Sequence, residues 1–303
     1  MPGEAIIEVR IAGRIRAALS VYKTPFHLTA ALVIVVLTTA ELVMARVLGF
    51  HGVGEIFSSW PSILLGVACV WYCRWRPLPK AIEASELAVL AVFLTGILSI
   101  LIQLAGRSHS PLADGRLAAI DAAAHFQTAY WVRLVATWPL LRGILYIAYN
   151  QLLLMIFAAT LIPAMRGDKT SSRRFVLGIV AAAVVTAAGF WIWPAVGPWT
   201  VEGYSPTHPQ AAVAAYIARL RSPLPVNVDM DDAGIVSFPS FHVALAVLAA
   251  FALRRIRVLR VFAWALCILM CISTITTGWH YGIDVVGGLV VAIFSIAAVC
   301  WIN

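Results

Sequence analysis

The chain has 303 residues, of which 62% are hydrophobic and only 12% charged, where an ordinary soluble domain carries about 25% charged residues. With a mean hydropathy of +0.91, this composition excludes a soluble globular protein and places the chain in lipid. The formal charge of +8 does not signal nucleic acid, because the basic residues cluster between apolar runs and no RNP-like, zinc-finger or basic-helix motif is present.

Taken in order, the first 23 residues mix Ile6, Ile7, Val9, Ile11 and Ile15 with Arg10, Arg14 and Arg16, the pattern of a short basic amphipathic helix on an anionic surface. The long charged region and the lack of a clear cleavage site argue against a signal peptide and for a cytoplasmic amino terminus. Eight apolar runs follow, at about 27–48, 58–73, 85–106, 141–163, 174–196, 239–253, 259–277 and 281–301. A spanning helix needs roughly 20 residues, with about 17 a usual minimum, so the second and sixth runs are short. The expected fold is therefore an all-α polytopic membrane bundle of about eight transmembrane helices, with seven the alternative if one short run is re-entrant.

Loop charges orient it. With the amino terminus inside, inner segments hold 15 of the 22 basic residues, and the outer ones hold seven despite containing the longest loops. The positive-inside rule then predicts that both termini are cytoplasmic. Two outer loops are long. Residues 107–140 contain Leu117 to Ala122, read as a surface helix with its apolar face on lipid. Residues 197–237 contain a second amphipathic stretch, Pro209 to Leu220, and the acidic cluster Asp229, Asp231 and Asp232. That cluster reads first as a solvated loop and second as a cation site. Cys69, Cys73, Cys267, Cys271 and Cys300 all lie in apolar runs. Cys69/Cys73 and Cys267/Cys271 share helix faces, but with no histidine or carboxylate beside them they read as packing, and no metal is assigned.

Two pieces carry chemistry. The first is Gly234-Ile235-Val236-Ser237-Phe238-Pro239-Ser240-Phe241-His242, and the second is Gly278-Trp279-His280-Tyr281-Gly282-Ile283-Asp284. Each sets an imidazole at the mouth of an apolar run on the outer side. On a helix, His280 and Asp284 fall on one face, one turn apart. A carboxylate within hydrocarbon is expensive, and pairing with His280 makes it tolerable. Ser237 is expected to cap the sixth helix with Pro239 in its first turn, leaving the amides of Ser240, Phe241 and His242 free for an anion. Thr277 and Gly278, just ahead of His280, are further candidate substrate contacts. The expected chemistry is a nucleophilic or basic imidazole, a carboxylate behind it and a second histidine opposite as acid.

Pro239-Ser240-Phe241-His242 resembles the Pro-Ser-x-His signature of the type 2 phosphatidic acid phosphatase superfamily. Ser273 through Asp284 resembles its Ser-Arg-x5-His-x3-Asp signature, with Ser273, His280 and Asp284 in register. The resemblance implies that His280 attacks phosphorus, Asp284 orients it and His242 protonates the leaving group, with no cofactor. Thr274 stands in place of the signature arginine, and no Lys-x6-Arg-Pro occurs; before Arg76-Pro77 the lysine position holds Cys69. Such losses, with the run Asp114 to Met165, resemble the bacterial inositol phosphorylceramide synthase-like branch. The resemblance covers about residues 110–303. It divides the chain into residues 1–110, an amphipathic helix and three accessory spans, and 111–303, a catalytic membrane domain.

Replacements for the missing cations are sought in the fourth span, where Tyr149 and Gln151 are candidate site-lining residues, and among Arg142, Arg219, Arg221 and His208. The implied partners are a lipid phosphate and an alcohol, lipid or water acceptor. The rival from another class is a non-enzymatic lipid transporter or assembly subunit on a decayed version of the fold, against which both histidines and the aspartate are intact.

Overall fold

The computed structural model describes residues 25–51, 60–76, 78–228 and 234–301. The amino-terminal amphipathic stretch and the Asp229–Asp231–Asp232 cluster lie outside the described residues. Two compact units are distinguished, Met1–Ala40 and Glu41–Asn303. The helix α1 (Pro25–Leu48) runs from the first into the second.

In the second unit, β1 (Phe50–His51) follows α1, then α2 (Trp60–Trp75) and α3 (Pro79–Gly106). Next come the short helices α4 (Asp114–Ala123) and α5 (Thr128–Ala136), then α6 (Pro139–Tyr149), α7 (Leu152–Met165) and α8 (Lys169–Ile192). After a 3-10 turn at Pro198–Thr200 come α9 (His208–Leu220), β2 (Val226–Asn227), α10 (Phe241–Leu253), α11 (Arg257–Thr276) and α12 (Gly282–Trp301). The described residues are all-α apart from two residue pairs of parallel pairing between β1 and β2.

Five described helices are long and apolar enough to cross a membrane: Thr29–Leu48, Lys80–Gly106, Lys169–Ile192, Arg257–Thr276 and Gly282–Trp301. A sixth forms if α6 and α7, bent by 43° at their junction, count as one span. The expected count of about eight falls to five or six because the two runs read as short are short in space. α10 has 13 residues, about 20 Å of helix.

The length of α10 follows from its place. It packs on α7, α8, α11 and α12, and ten of its thirteen residues are buried. That burial, more than its all-round apolar sequence, sets this helix against its neighbours rather than against lipid. The main core gathers on it, with Phe175, Met155, Met270 and Val291 around the Val243–Leu253 face. Helix α3, read from sequence as an accessory span, packs on α7 and α8, and Glu83 near its start takes a bidentate ion pair from Arg173 of α8 at 2.6 and 3.0 Å.

Two expectations for the connecting segments change. Leu117 of α4 is fully buried beside Ala113, Ala195 and Tyr281, so this face meets protein and not lipid. The whole of α5 is a helix that no sequence signal marked. α9 forms where the amphipathic stretch predicted it, opened by a capping box between Thr207 and Gln210.

Candidate active site

Backbone geometry brings the two sequence motifs together. Ser240, not Ser237, caps α10, accepting Val243 N–H at 3.4 Å, and Pro239 precedes the helix. The Phe238–Ser240 turn is held between two glycines. A Cβ at Gly189 of α8 would come 2.6 Å from Pro239 Cδ, and one at Gly288 of α12 would come 2.5 Å from the Ser240 carbonyl oxygen. Only glycine allows so close an approach. With α12 this near, Ser240 N–H donates to the Asp284 carbonyl at 3.0 Å. That amide is therefore used inside the protein. The α10 amides left for a ligand are those of Phe241 and His242, fewer than the sequence reading expected.

At the other motif, Gly278 adopts φ +78° and reverses the chain between α11 and His280. His280 is buried, and its Nδ1 lies 3.0 Å from the Ser237 carbonyl oxygen and 3.2 Å from Asp284 Oδ2. Both neighbours accept, so Nδ1 carries the proton and Nε2 offers a lone pair. Nε2 faces Ser240 Oγ at 3.3 Å. Asp284 is fully buried. Its Oδ2 also accepts Ser237 Oγ–H at 2.7 Å and Tyr281 N–H at 2.9 Å, while Oδ1 has no hydrogen-bond partner. The carboxylate holds the ring from behind, the arrangement that orients an imidazole and fixes its tautomer.

His242 stands across from His280, ring centroids 6.5 Å apart and planes tilted by 55°. Tyr149 stacks on the His242 ring at 4.7 Å and 11°. Both imidazoles line one cavity of about 220 Å³ with Tyr149, Ser237, Phe241 and Trp279; Ile102 of α3 and Leu152 of α7 contribute to its apolar wall. Among the described residues, no lysine or arginine lines it.

The remaining expected contacts lie elsewhere. Gln151 is at the α6–α7 break, where its amide donates to the Ile147 carbonyl at 3.2 Å and Asn150 donates to that of Tyr146 at 2.8 Å. These side chains bond carbonyls of their own helix end, which also accept the Asn150 backbone N–H, so their polar groups are paired within the chain and not with lipid. Thr277 Oγ1 donates to the Ser273 carbonyl at 2.6 Å, and the Gly278 carbonyl accepts from Tyr204 Oη and Gln210 Nε2. Neither Thr277 nor Gly278 lines the cavity. Of the candidate cations, Arg221 donates to the carbonyls of Ser108 and Ser110, Arg219 lies over the Tyr216 ring, and Arg142 and His208 are exposed. All five cysteines are free, and among the described residues no group of His, Cys, Asp or Glu could hold a metal ion.

The sequence reading missed Ser237 as a partner of both dyad members; its one signal was its place in the Pro239 run. It also missed Trp279 and Ile102 on the wall. Compared with known families, residues 115–298, more than half of the chain, match the family model of the PAP2 superfamily. The chain belongs to the PAP2 superfamily. No curated protein and no solved structure matches it. The matched region contains both imidazoles, Asp284 and, but for the last three residues of α12, the spanning helices from α6 onward, so membership points to an integral membrane protein with phosphatase-type activity on lipid phosphates.

Proposed function

We propose that this protein transfers the phospho-head group of a membrane lipid through a phosphohistidine at His280. The observation that carries the reading is the pair of imidazoles facing one cavity, one oriented from behind by Asp284. His280 Nε2 attacks phosphorus, the bond from phosphorus to the leaving oxygen breaks, and that oxygen takes a proton from His242. An acceptor hydroxyl then gives its proton to His242 and attacks phosphorus, breaking the P–N bond and restoring both rings. The free amides at the start of α10 stabilise the charge that develops.

Transfer is preferred over hydrolysis for two reasons. The described lining lacks cations, which suits the single negative charge of a phosphodiester better than a phosphomonoester dianion. The lost signature arginine and lysine also resemble the inositol phosphorylceramide synthase-like branch. Hydrolysis uses the same first step with water as acceptor, so the phosphatase reading is the alternative. The reading places the site at the outer face of the plasma membrane, the side to which the eight-run arrangement of basic residues assigns both motifs.

The test uses purified protein and His280→Gln with phosphorus-32-labelled phospholipids and unlabelled membrane lipids. Label moving to a new lipid or sugar, and lost in the variant, is the expected result. Label moving to a water-soluble phospho-head group, or from a labelled phosphomonoester lipid to free phosphate, would establish hydrolysis instead. Movement undiminished in His280→Gln would sink the reading.

A further inference from the structure

The five residues from His280 to Asp284 are gripped from outside their own helix. Asp121 of α4, itself 3% exposed, accepts Gly282 N–H at 2.6 Å through Oδ2 and Ile283 N–H at 2.8 Å through Oδ1. These are first-turn amides of α12, which have no acceptor of their own within the helix. Thr128 of α5 donates to the His280 carbonyl at 3.2 Å. Asp114 accepts Tyr281 Oη at 3.1 Å while its carboxylate also takes the amides of Val196 and Gly197. The segment that carries the dyad is thus fixed from α4 and α5, and Asp121 supplies the charged, two-oxygen contact.

We propose that Asp121 is a positioning residue that keeps Asp284 on His280, by taking the Gly282 and Ile283 amides that Asp284 would otherwise satisfy. Asp284 sits within the same helical turn as those amides and already accepts Tyr281 N–H at 2.9 Å through Oδ2, the oxygen that faces His280 Nδ1. With Asp121 removed, two buried donors lose their acceptor, and the nearest carboxylate along the chain is Asp284. Its rotation toward them leaves His280 Nδ1 with the Ser237 carbonyl alone. The proton on Nδ1 and the aim of Nε2 are then no longer fixed by two acceptors. The catalytic consequence rests on the phosphoryl-transfer reading; the structural one does not.

The full chain, purified in detergent with ring-15N histidine, is compared as unmodified protein, Asp121→Asn and Asp121→Ala. The His280 ring signals are assigned by their loss in His280→Gln. The unmodified ring is expected to show Nδ1 protonated and Nε2 bare. Asp121→Ala shows a mixture of tautomers, and Asp121→Asn, which keeps one acceptor oxygen, lies between. Label transfer falls about 10–100-fold in kcat for Asp121→Ala, with KM within about twofold, and recovers partly in Asp121→Asn. Ring signals unchanged in Asp121→Ala, or in Asp121→Asn should the alanine variant not fold, overturn the proposal. Ring signals that move in a protein whose unmodified form transfers no label leave the positioning role standing and sink the phosphoryl-transfer reading.

Discussion

Substituting Gly288 by alanine tests whether helix approach builds the site. The added Cβ would lie 2.5 Å from the Ser240 carbonyl oxygen and 2.8 Å from Val243 Cβ. Comfortable contact needs about 3.5–4.0 Å, so α12 must move away from α10 by roughly 1 Å. Backbone and a β-branched side chain give little, and over-packing of this kind costs about 1–3 kcal/mol. The same movement stretches Ser240 N–H to the Asp284 carbonyl, 3.0 Å long, and draws Asp284 from Ser237. A displacement of about 1 Å at reacting groups costs about 100-fold in rate. Gly288→Ala is therefore expected to melt earlier and to lose label-transfer kcat by about two orders of magnitude. Gly115→Ala is the control: it sits in α4 with nothing within 4 Å of the new Cβ, and alanine in a helix stabilises by about 0.5–1 kcal/mol. Melting in detergent and initial rates on one lipid substrate give both quantities. Unaltered kcat and melting in Gly288→Ala would refute the idea that this contact places Ser240 against the dyad.

Ser237→Ala removes the 2.7 Å hydrogen bond to a carboxylate already short of one partner, so a stability loss of about 1–3 kcal/mol and a clear fall in kcat are expected. Tyr149→Leu loses the stack on His242, worth about 0.5–1.5 kcal/mol, and is expected to slow turnover more than Tyr149→Phe; equal losses would mean that the phenol and not the ring matters. Burial pushes the Asp121 and Glu202 carboxyls up, against the amides of Gly282 and Ile283 and of Ala129 respectively. The folded state therefore holds protons that the unfolded chain releases. Stability should fall as pH rises from about 4 through the raised folded values, and melting curves of Asp121→Asn should show a shallower fall. Activity is expected to survive EDTA, because a histidine nucleophile with a histidine acid needs no metal ion; abolition would contradict the mechanism.

The reactive core was legible because its chemistry is local in sequence. His280 and Asp284 are four residues apart at the start of the last apolar run, and Pro239-Ser240-Phe241-His242 opens another, so spacing marked the pair, although His280 lies just ahead of α12 and not on it. The approach of the two motifs was not legible, since it depends on small residues at distant points, Gly189 and Gly288, whose reason appears only when Pro239 and Ser240 are beside them. The polar trio Tyr149, Asn150 and Gln151 illustrates the same limit. Depth in an apolar run predicted a cavity for Tyr149 and Gln151, yet Gln151, like Asn150, bonds a carbonyl of its own helix end beside the 43° bend, and only Tyr149 reaches the cavity. Helix α10 looked like a short span because hydropathy cannot tell lipid from surrounding helices. Asp114 and Asp121 gave no sequence signal, because their partners lie 80 to 170 residues away and are mostly backbone amides.

The central claim is the covalent intermediate, and trapping it is the most direct test. Ser240 Oγ lies 3.3 Å from His280 Nε2, so a serine nucleophile is the chemical competitor. Unmodified protein, His280→Gln and Ser240→Ala are mixed briefly with phosphorus-32-labelled lipid and quenched in alkali or in acid. The account predicts label on the protein that survives alkali, is lost in acid and is absent from His280→Gln but present in Ser240→Ala. Acid-stable label that disappears in Ser240→Ala would contradict it.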